Sequence, residues 1–424
     1  MTKRAAILWT VGVIGISAVA AGIYAALQRW DRPLALREKD SAVAAYRAVG
    51  LPWEVSDMPK GDTGPKSAAA FALRMRTKFD YVGYSEYSTD VMEPLLAKGS
   101  YREAYRRFRS KFGDTVDLCR GQRDKETLGL PMDWINTAED DAAAAAVAGA
   151  VELMAESGRL EYAKGDPEQA LADFRMSRKL ILLARQYPNF DQIRESANHA
   201  ESAYDEMIKC AIQARGDVSF LQELRTLAQD FPQIDLTPFL RYECWSHLAL
   251  MRRSSPAEDR DGIPLVSLDR ALLVRQMQAW TRFYPKALPL VRKPWELSQE
   301  AARQSADWVA HKGETFEDVS PLPDLEKLDV ALNVFDASAM VLRAEIEALL
   351  MEHRTGRLPQ SIRDLPGEWI DPIDGQPLRL RRSDKYLLIY SISFDEVDNN
   401  GLTWDDPAAG DDYDMVAKIP LQRP

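Results

Sequence analysis

Carboxylates are the side chains most concentrated in one place in this sequence: eight lie between Asp395 and Asp414. Within that run Glu396, Asp398, Asn400 and Gly401 reproduce the spacing of the first half of a calcium loop, where oxygen ligands alternate along a backbone turned by glycine. The twelfth place of such a loop needs a bidentate Glu. Pro407 occupies it here, so an EF-hand is excluded. The run is then either an oxygen-donor site of another build or a solvated acidic segment.

Elsewhere the chemistry-bearing residues are dispersed. There is no Gly-rich phosphate loop, Gly-x-Ser-x-Gly elbow or His-Glu-x-x-His helix. His199, His247, His311 and His353 stand apart from one another and from Cys119, Cys210 and Cys244, which reads as structural histidines and buried free thiols. A Cys210–Cys244 bridge is the alternative. Glu345 and Glu347 are too ordinary a pair in an acidic chain to signal a glycosidase, although carboxylates distant in sequence can still meet in space. No catalytic or cofactor-binding residue is therefore assigned. With a net charge of −11 and a pI near 5.1, the chain lacks the concentrated basic surface that tracking phosphates requires, so no nucleic-acid partner is expected. Arg102, Arg106, Arg107, Arg109 and Lys111 form a local basic group that reads as one solvated helix face.

The elements that must hold these residues begin with a membrane segment. Ala5 to Leu27 is free of charge, flanked by Lys3 and Arg4 on one side and Arg29, Asp31 and Arg32 on the other. At about 1.5 Å per residue it spans a hydrocarbon core of about 30 Å. Trp9, Tyr24 and Trp30 lie toward its ends, where amphipathic rings favour the interface. A cleaved signal peptide, with Ala18-Val19-Ala20 as its cleavage site, is the competing reading, but the apolar run is longer than such peptides need. The segment is read as an uncleaved anchor, N-terminus inside, with the large domain extracytoplasmic.

A helical middle follows. Helices are expected near 37–49, 66–76, 100–119, 138–162, 267–284 and 295–311, with Tyr81, Tyr84 and Tyr87 in an irregular stretch. The segment Leu183-Ala184-Arg185-Gln186-Tyr187-Pro188 returns, displaced by 44 residues, as Leu227-Ala228-Gln229-Asp230-Phe231-Pro232. Each copy closes a helix opened by Gly-Asp, at Gly165-Asp166 and Gly216-Asp217. Helix pairs repeated at such a period are the mark of an α-solenoid. Gly158, Gly165, Asp166, Ala170 and Phe174 resemble the small, turn, small and aromatic positions of a tetratricopeptide repeat, with Tyr162 one place late; an ordinary bundle with a duplicated hairpin is the alternative.

Near the C-terminus, Leu328, Leu332, Phe335, Ala339, Leu342, Ile346, Leu349 and His353 repeat in steps of four and three, one face of a long helix. Gly356 and Pro359 stop it. A short helix at Ile362–Leu365 and strands at Leu378–Leu380 and Tyr386–Ile392 follow, the second apolar on both faces and hence central. Gly356-Arg357-Leu358-Pro359, Asp371-Pro372-Ile373-Asp374-Gly375-Gln376-Pro377-Leu378 and the acidic loop together resemble the soluble part of the major pseudopilin of type II secretion. That resemblance implies a small α+β unit with a calcium-binding loop, for which Asp395, Asp398, Asp405 and Asp406 are the candidate ligands. The N-terminus departs from it, because no acidic residue stands at the start of the apolar run.

Tyr46-Arg47-Ala48-Val49-Gly50-Leu51-Pro52, the helix ending at Leu183-Ala184, and Asp371 to Pro377 with Tyr390-Ser391 are similar to uncharacterised bacterial single-pass membrane proteins, a likeness of architecture only. The expected fold is mainly α: a transmembrane anchor at 1–30, a juxtamembrane helical region at 31–137, a helical repeat or bundle domain at 138–312, and a pseudopilin-like α+β unit with a short antiparallel sheet at 324–419. The expected role is that of a bacterial inner-membrane interaction or scaffold protein with a protein partner. The alternatives are an envelope hydrolase, its site between the helical region and the C-terminal unit, and an accessory component of a secretion or pilus-like system.

Overall fold

The structure is a computed structural model that describes residues 41–52, 64–130, 137–187, 189–229, 231–232, 235–253, 267–291, 297, 299–301, 303–304, 326–392, 397–403 and 414–422. It is mainly helical, with a small three-stranded antiparallel sheet. The 5–27 segment lies outside the described residues; among those described, no helix is long and apolar enough to cross a membrane.

Two compact units make up the chain. One takes Met1–Asp57, Leu240–Leu290 and Gln299–Asp324; the other takes Met58–Phe239, Val291–Ser298 and Leu325–Pro424. These bounds cut across the spans read from sequence, because the long C-terminal helix packs with helices far upstream of it.

The second unit opens with α1 (Ala69–Lys78), α2 (Tyr81–Tyr87), a π-helical turn (Ser88–Met92), α3 (Glu93–Ala97) and α4 (Tyr101–Arg120). The tyrosine stretch expected to be irregular is helical instead. Asp80 caps it by accepting from the Gly83 amide at 3.2 Å, and Tyr84 packs edge-on against Phe112 at 5.4 Å. The widened turn after it precedes Pro94, which has no N–H to give the carbonyl four residues back. In α4, Ala104, Phe108, Phe112, Val116 and Cys119 recur at helical spacing and are buried.

Next come a helical hairpin, α5 (Thr137–Lys164) with α6 (Pro167–Ala184), and then α7 (Phe190–Gln213) and α8 (Val218–Leu227), which are consecutive but pack on the hairpin rather than on each other. Asp166 caps α6 through the Gln169 amide at 3.1 Å, and Asp217 caps α8 through the Phe220 amide at 3.0 Å. Phe174 on α6 is fully buried against Gly158 on α5, where a Cβ would come within 2.7 Å of the ring. The aromatic residue that closes each copy of the repeated segment, Tyr187 and Phe231, is buried. Helix α7 packs on both α5 and α6, and α8 packs on α6, so both stack on the hairpin.

The third layer is α11 (Glu326–Thr355), which lies between α7 and α8 on one side and strands β2 (Tyr386–Ser391) and β3 (Met415–Pro420) on the other. Its expected apolar stripe is buried from Leu332 through Leu349, but so are Val334, Ala337, Val341 and Ala344 between them, because it is covered from both sides. His353, assigned to the stripe, is exposed, and Glu352 is the buried residue at that turn. Gly356 ends the helix at φ +73°, a left-handed conformation that costs glycine little.

The sheet order is β1 (Arg379–Arg382), β2, β3, with β2 central as expected. The sequence reading missed β3, whose Met415, Ala417 and Ile419 stand opposite Ser391, Ile389 and Leu387. These six are buried on the face that meets α11, where the Ser338 hydroxyl lies 3.2 Å from Met415 Sδ.

In the first unit, residues 41–48 are helical, and the Tyr46 hydroxyl is hydrogen-bonded to the Cys244 thiol. α9 (Thr237–Arg253) contributes its part from Leu240, and α10 (Ser267–Ala287) buries Met277, Trp280 and Phe283.

Candidate functional site

The densest ionisable cluster lies inside the second unit, where the π-helical turn meets α5 and α7. In the alanine-rich α5, Glu152, Glu156 and Arg159 are spaced by four and three residues, which puts them on one face. On α7, Asp205, Glu206 and Lys209 do the same. Tyr84 and Ser88 each donate a hydroxyl hydrogen bond to Glu156 Oε2, at 2.8 and 3.2 Å. Arg159 reaches Glu93 through Nη2 at 3.3 Å, and its Nε lies 2.8 Å from Glu206 Oε2. Lys209 Nζ gathers Glu93, Asp205 and Glu206 at 3.4, 2.9 and 3.0 Å.

Four carboxylates thus face two cations, and the charge is not shared evenly. Burial, reinforced by the nearby Glu206, pushes the Glu156 carboxyl up to about 7. Burial also opposes ionisation of Glu206, yet Arg159 and Lys209 outweigh it and hold that group below its ordinary value. One acid of the pair keeps its proton near neutrality while the other gives it up, the division of roles that general acid–base chemistry uses. Glu156 is only 2% exposed and its Oε1 has no hydrogen-bond partner. Nearby, Glu345 on α11 is fully buried with neither carboxylate oxygen hydrogen-bonded. Burial, with Asp205 adding repulsion, pushes its carboxyl well above the ordinary value and so favours the protonated form. His199, one of the dispersed histidines, joins Glu152 through Nδ1 at 2.7 Å, and the Tyr81 hydroxyl donates to the same carboxylate at 3.1 Å.

Of these groups the sequence reading weighs only His199 as a dispersed histidine, Tyr81 and Tyr84 in their tyrosine stretch and Glu345 as half of an uninformative pair, and it assigns none of them to a site; Glu156, Arg159, Glu206 and Lys209 it passes over. The signal that would have found them is the charged i, i+3, i+4 face on an alanine-rich helix that has no reason to be solvated.

The acidic loop is a second candidate. Of its four proposed calcium ligands, Asp395, Asp405 and Asp406 lie outside the described residues. Asp398 is placed: its Oδ1 accepts from the Asn400 amide at 2.9 Å and from the Tyr390 hydroxyl at 3.3 Å, while Oδ2 lies 3.9 Å from Arg379 Nε. Asp414, not chosen from sequence as a ligand, is buried and accepts from the Gly401 amide at 2.7 Å and the Asn399 amide at 3.3 Å, fastening the loop to the start of β3. The Asp371–Pro377 motif is likewise a structural knot. Asp371 is fully buried and accepts from Arg379, Ser391 and the Ile373 amide at 2.6, 2.8 and 3.0 Å. Among the described residues no group of His, Cys, Asp and Glu is arranged to hold a metal ion.

The basic face of α4 is largely self-paired: Glu103 binds Arg106 and Arg107, and Arg109 meets Asp117 at 3.2 Å. Cys119, Cys210 and Cys244 are buried free thiols. No family model, curated protein or solved structure matches the chain.

Proposed function

We propose that this chain is a membrane-anchored interaction protein of the bacterial envelope, held by residues 5–27 and presenting its helical layers to a protein partner. The observation that carries this reading is the stacking of α7 and α8 on the α5–α6 hairpin, with the same closure repeated in α6 and α8, an aspartate cap after a glycine at one end and a buried aromatic residue at the other. Stacked helices of this kind offer extended surfaces to peptides and proteins. The resemblance of 158–174 to a tetratricopeptide repeat agrees with it, as does the tight seating of Phe174 on Gly158. The test is in-cell photocrosslinking of the full-length chain from single exposed positions on different elements, such as Val82 on α2, Arg175 on α6 and Tyr386 on β2, followed by mass spectrometry. A reproducible partner from one position and not the others supports the reading; none from any position overturns it.

The loop resembling that of the major pseudopilin is assigned calcium on the same footing, with Asp395, Asp398, Asp405 and Asp406 as ligands. Equal melting midpoints in millimolar calcium and in chelator would remove that assignment. A second reading, an envelope hydrolase, draws on the Glu156–Glu206 pair; loss of a turnover activity in Glu206→Gln with an unchanged fold would favour it.

A further inference from the structure

Four cations and one carboxylate lie between Lys98 and Arg107, in a chain whose net charge is −11. Lys98 follows α3, and Arg102, Arg106 and Arg107 stand in the first two turns of α4. Arg102 and Arg106, four residues apart, share one face of the helix, and all four cations are exposed. Pairing does not hide them. Glu103 holds Arg106 and Arg107 at once, yet its side chain is 31% exposed against 76% and 52% for theirs, so the guanidiniums lie outermost. The same order holds beside them, where Lys164 is 38% exposed and its partner Glu161 only 2%, with Lys164 Nζ 4.6 Å from the Tyr105 ring centroid. Among the described residues Lys98 and Arg102 make no ion pair. The patch stops toward the middle of α4, where Asp114 and Asp117 are exposed.

Helix chemistry does not ask for this arrangement. Positive charge in the first turns opposes the helix dipole, whose N-terminal end favours anions. Packing does not ask for it either, because α4 is buried through Ala104, Phe108, Phe112 and Val116. What the patch offers is guanidinium forks and ammonium groups on long flexible stems, the groups that take phosphate oxygens. An exposed helix face has no depth with which to select one small molecule. It suits a flat array of mobile phosphates. Tyr101 and Tyr105, half-buried on the same helix, are of the kind that settles at headgroup level.

We propose that the first half of α4, with Lys98 and Lys164 beside it, docks on the anionic phosphate headgroups of the membrane that anchors the chain. Docking rests on residues 5–27 being the anchor: a tethered domain meets the bilayer at high effective concentration, so a few basic residues are enough to orient it.

The test uses the full-length chain reconstituted in vesicles of phosphatidylcholine alone, or of phosphatidylcholine and phosphatidylglycerol in equal parts, with a trace of headgroup-labelled acceptor lipid. A donor dye goes on Ser110→Cys, exposed and one turn from Arg106, or on Arg175→Cys on α6; the native thiols are buried. From the Ser110 position, energy transfer to lipid is expected to be at least about twofold higher in the anionic vesicles, and to return to the phosphatidylcholine level in molar salt, where screening acts within about 3 Å. Arg102→Gln with Arg106→Gln removes the difference, and Arg102→Lys with Arg106→Lys keeps it; both pairs change exposed side chains, and circular dichroism checks the fold.

Equal transfer in the two vesicles, a difference that survives molar salt, a gain at Arg175 as large as at Ser110, or a glutamine variant that behaves as the wild type overturns the docking. Equal transfer together with crosslinking of an acidic protein from Ser110 in cells gives the face to a protein and overturns it too. Flotation with the phosphatidylcholine vesicles reports the anchor by itself. A chain that floats with them but shows equal transfer loses the docking alone, whereas one that does not float loses the anchor and the docking with it.

Discussion

Glu156 holds its proton to about pH 7 because the folded chain buries it beside Glu206. From the ordinary value of 4.5 upward, the native state binds more protons at this carboxyl than the unfolded state does. Stability therefore falls as pH rises through the window from 4.5 to about 7 and is flat above it. The shift bounds the effect at about 3 kcal/mol. Glu156→Gln keeps an oxygen for Tyr84 and Ser88 and removes the ionisation. The variant is expected to gain on the wild type between pH 5 and pH 8 in urea unfolding; an equal stability difference at both pH values would refute the burial argument. A second residue, Gly158, tests packing. Gly158→Val sets a branched side chain against the Phe174 ring, which a Cβ alone would already meet at 2.7 Å, and overpacking of this kind costs about 1–3 kcal/mol, read as a lower urea midpoint at unchanged slope. Gly158 and Phe174 were legible from spacing alone, because the small–aromatic pair is local to one hairpin. Glu156 and Glu206 were legible only as members of charged faces on their own helices, since their meeting depends on how α7 lies on α5 and local spacing does not encode that.

Among the elements, helix ends were the most legible part of the chain. Asp166, Asp217 and Gly356 mark termini through chemistry confined to one turn, and each stands where its residue type predicts. Strand β3 was hidden because Met415–Pro420 follows an acidic run and is too short to show alternation by itself; pairing with β2 makes it a strand. What joins these elements is also non-local. Arg215, just past α7, makes a two-pronged ion pair with Glu352 on α11, both contacts at 2.6 Å, and gives a third hydrogen bond to the Pro420 carbonyl at 2.7 Å. Both side chains are about nine-tenths buried, so removing one strands the other charge. Glu352→Gln is expected to cost about 3–5 kcal/mol in chemical denaturation. Arg175 and Glu223, 3.1 Å apart and linking α6 to α8, serve as the contrast. With both side chains about half exposed, Arg175→Ala is expected to cost about 0–1 kcal/mol. Similar losses from the two variants would mean that the Arg215 clamp is no more than a surface pair.

At the scale of the whole molecule, the sequence suggests a boundary near Pro323, after which a C-terminal unit begins, and the natural experiment is to cut there. The packing predicts that this cut removes a layer rather than a domain. Helix α11 shares its compact unit with α5–α8, and the fully buried Phe335, Leu342, Ile346 and Leu349 lie on its buried surface. A chain ending at Pro323 leaves the α11-facing sides of α7 and α8 bare, together with an unpaired Arg215 and a Phe231 without its Phe335 contact at 5.6 Å. Each fully buried large apolar side chain lost is worth about 1.5–3 kcal/mol, so a few of them exceed much of the 5–15 kcal/mol that holds a typical domain. The truncated chain is expected to lose cooperative melting and to be cut within α7 and α8 by limited proteolysis, whereas the intact chain resists. A sharp melt retained after truncation would show that α5–α8 carry a core of their own and that α11 with its sheet is an added unit. It follows that loss of a partner on truncation cannot assign the binding surface to the C-terminal part. Single exposed positions in the intact fold are the probes that can.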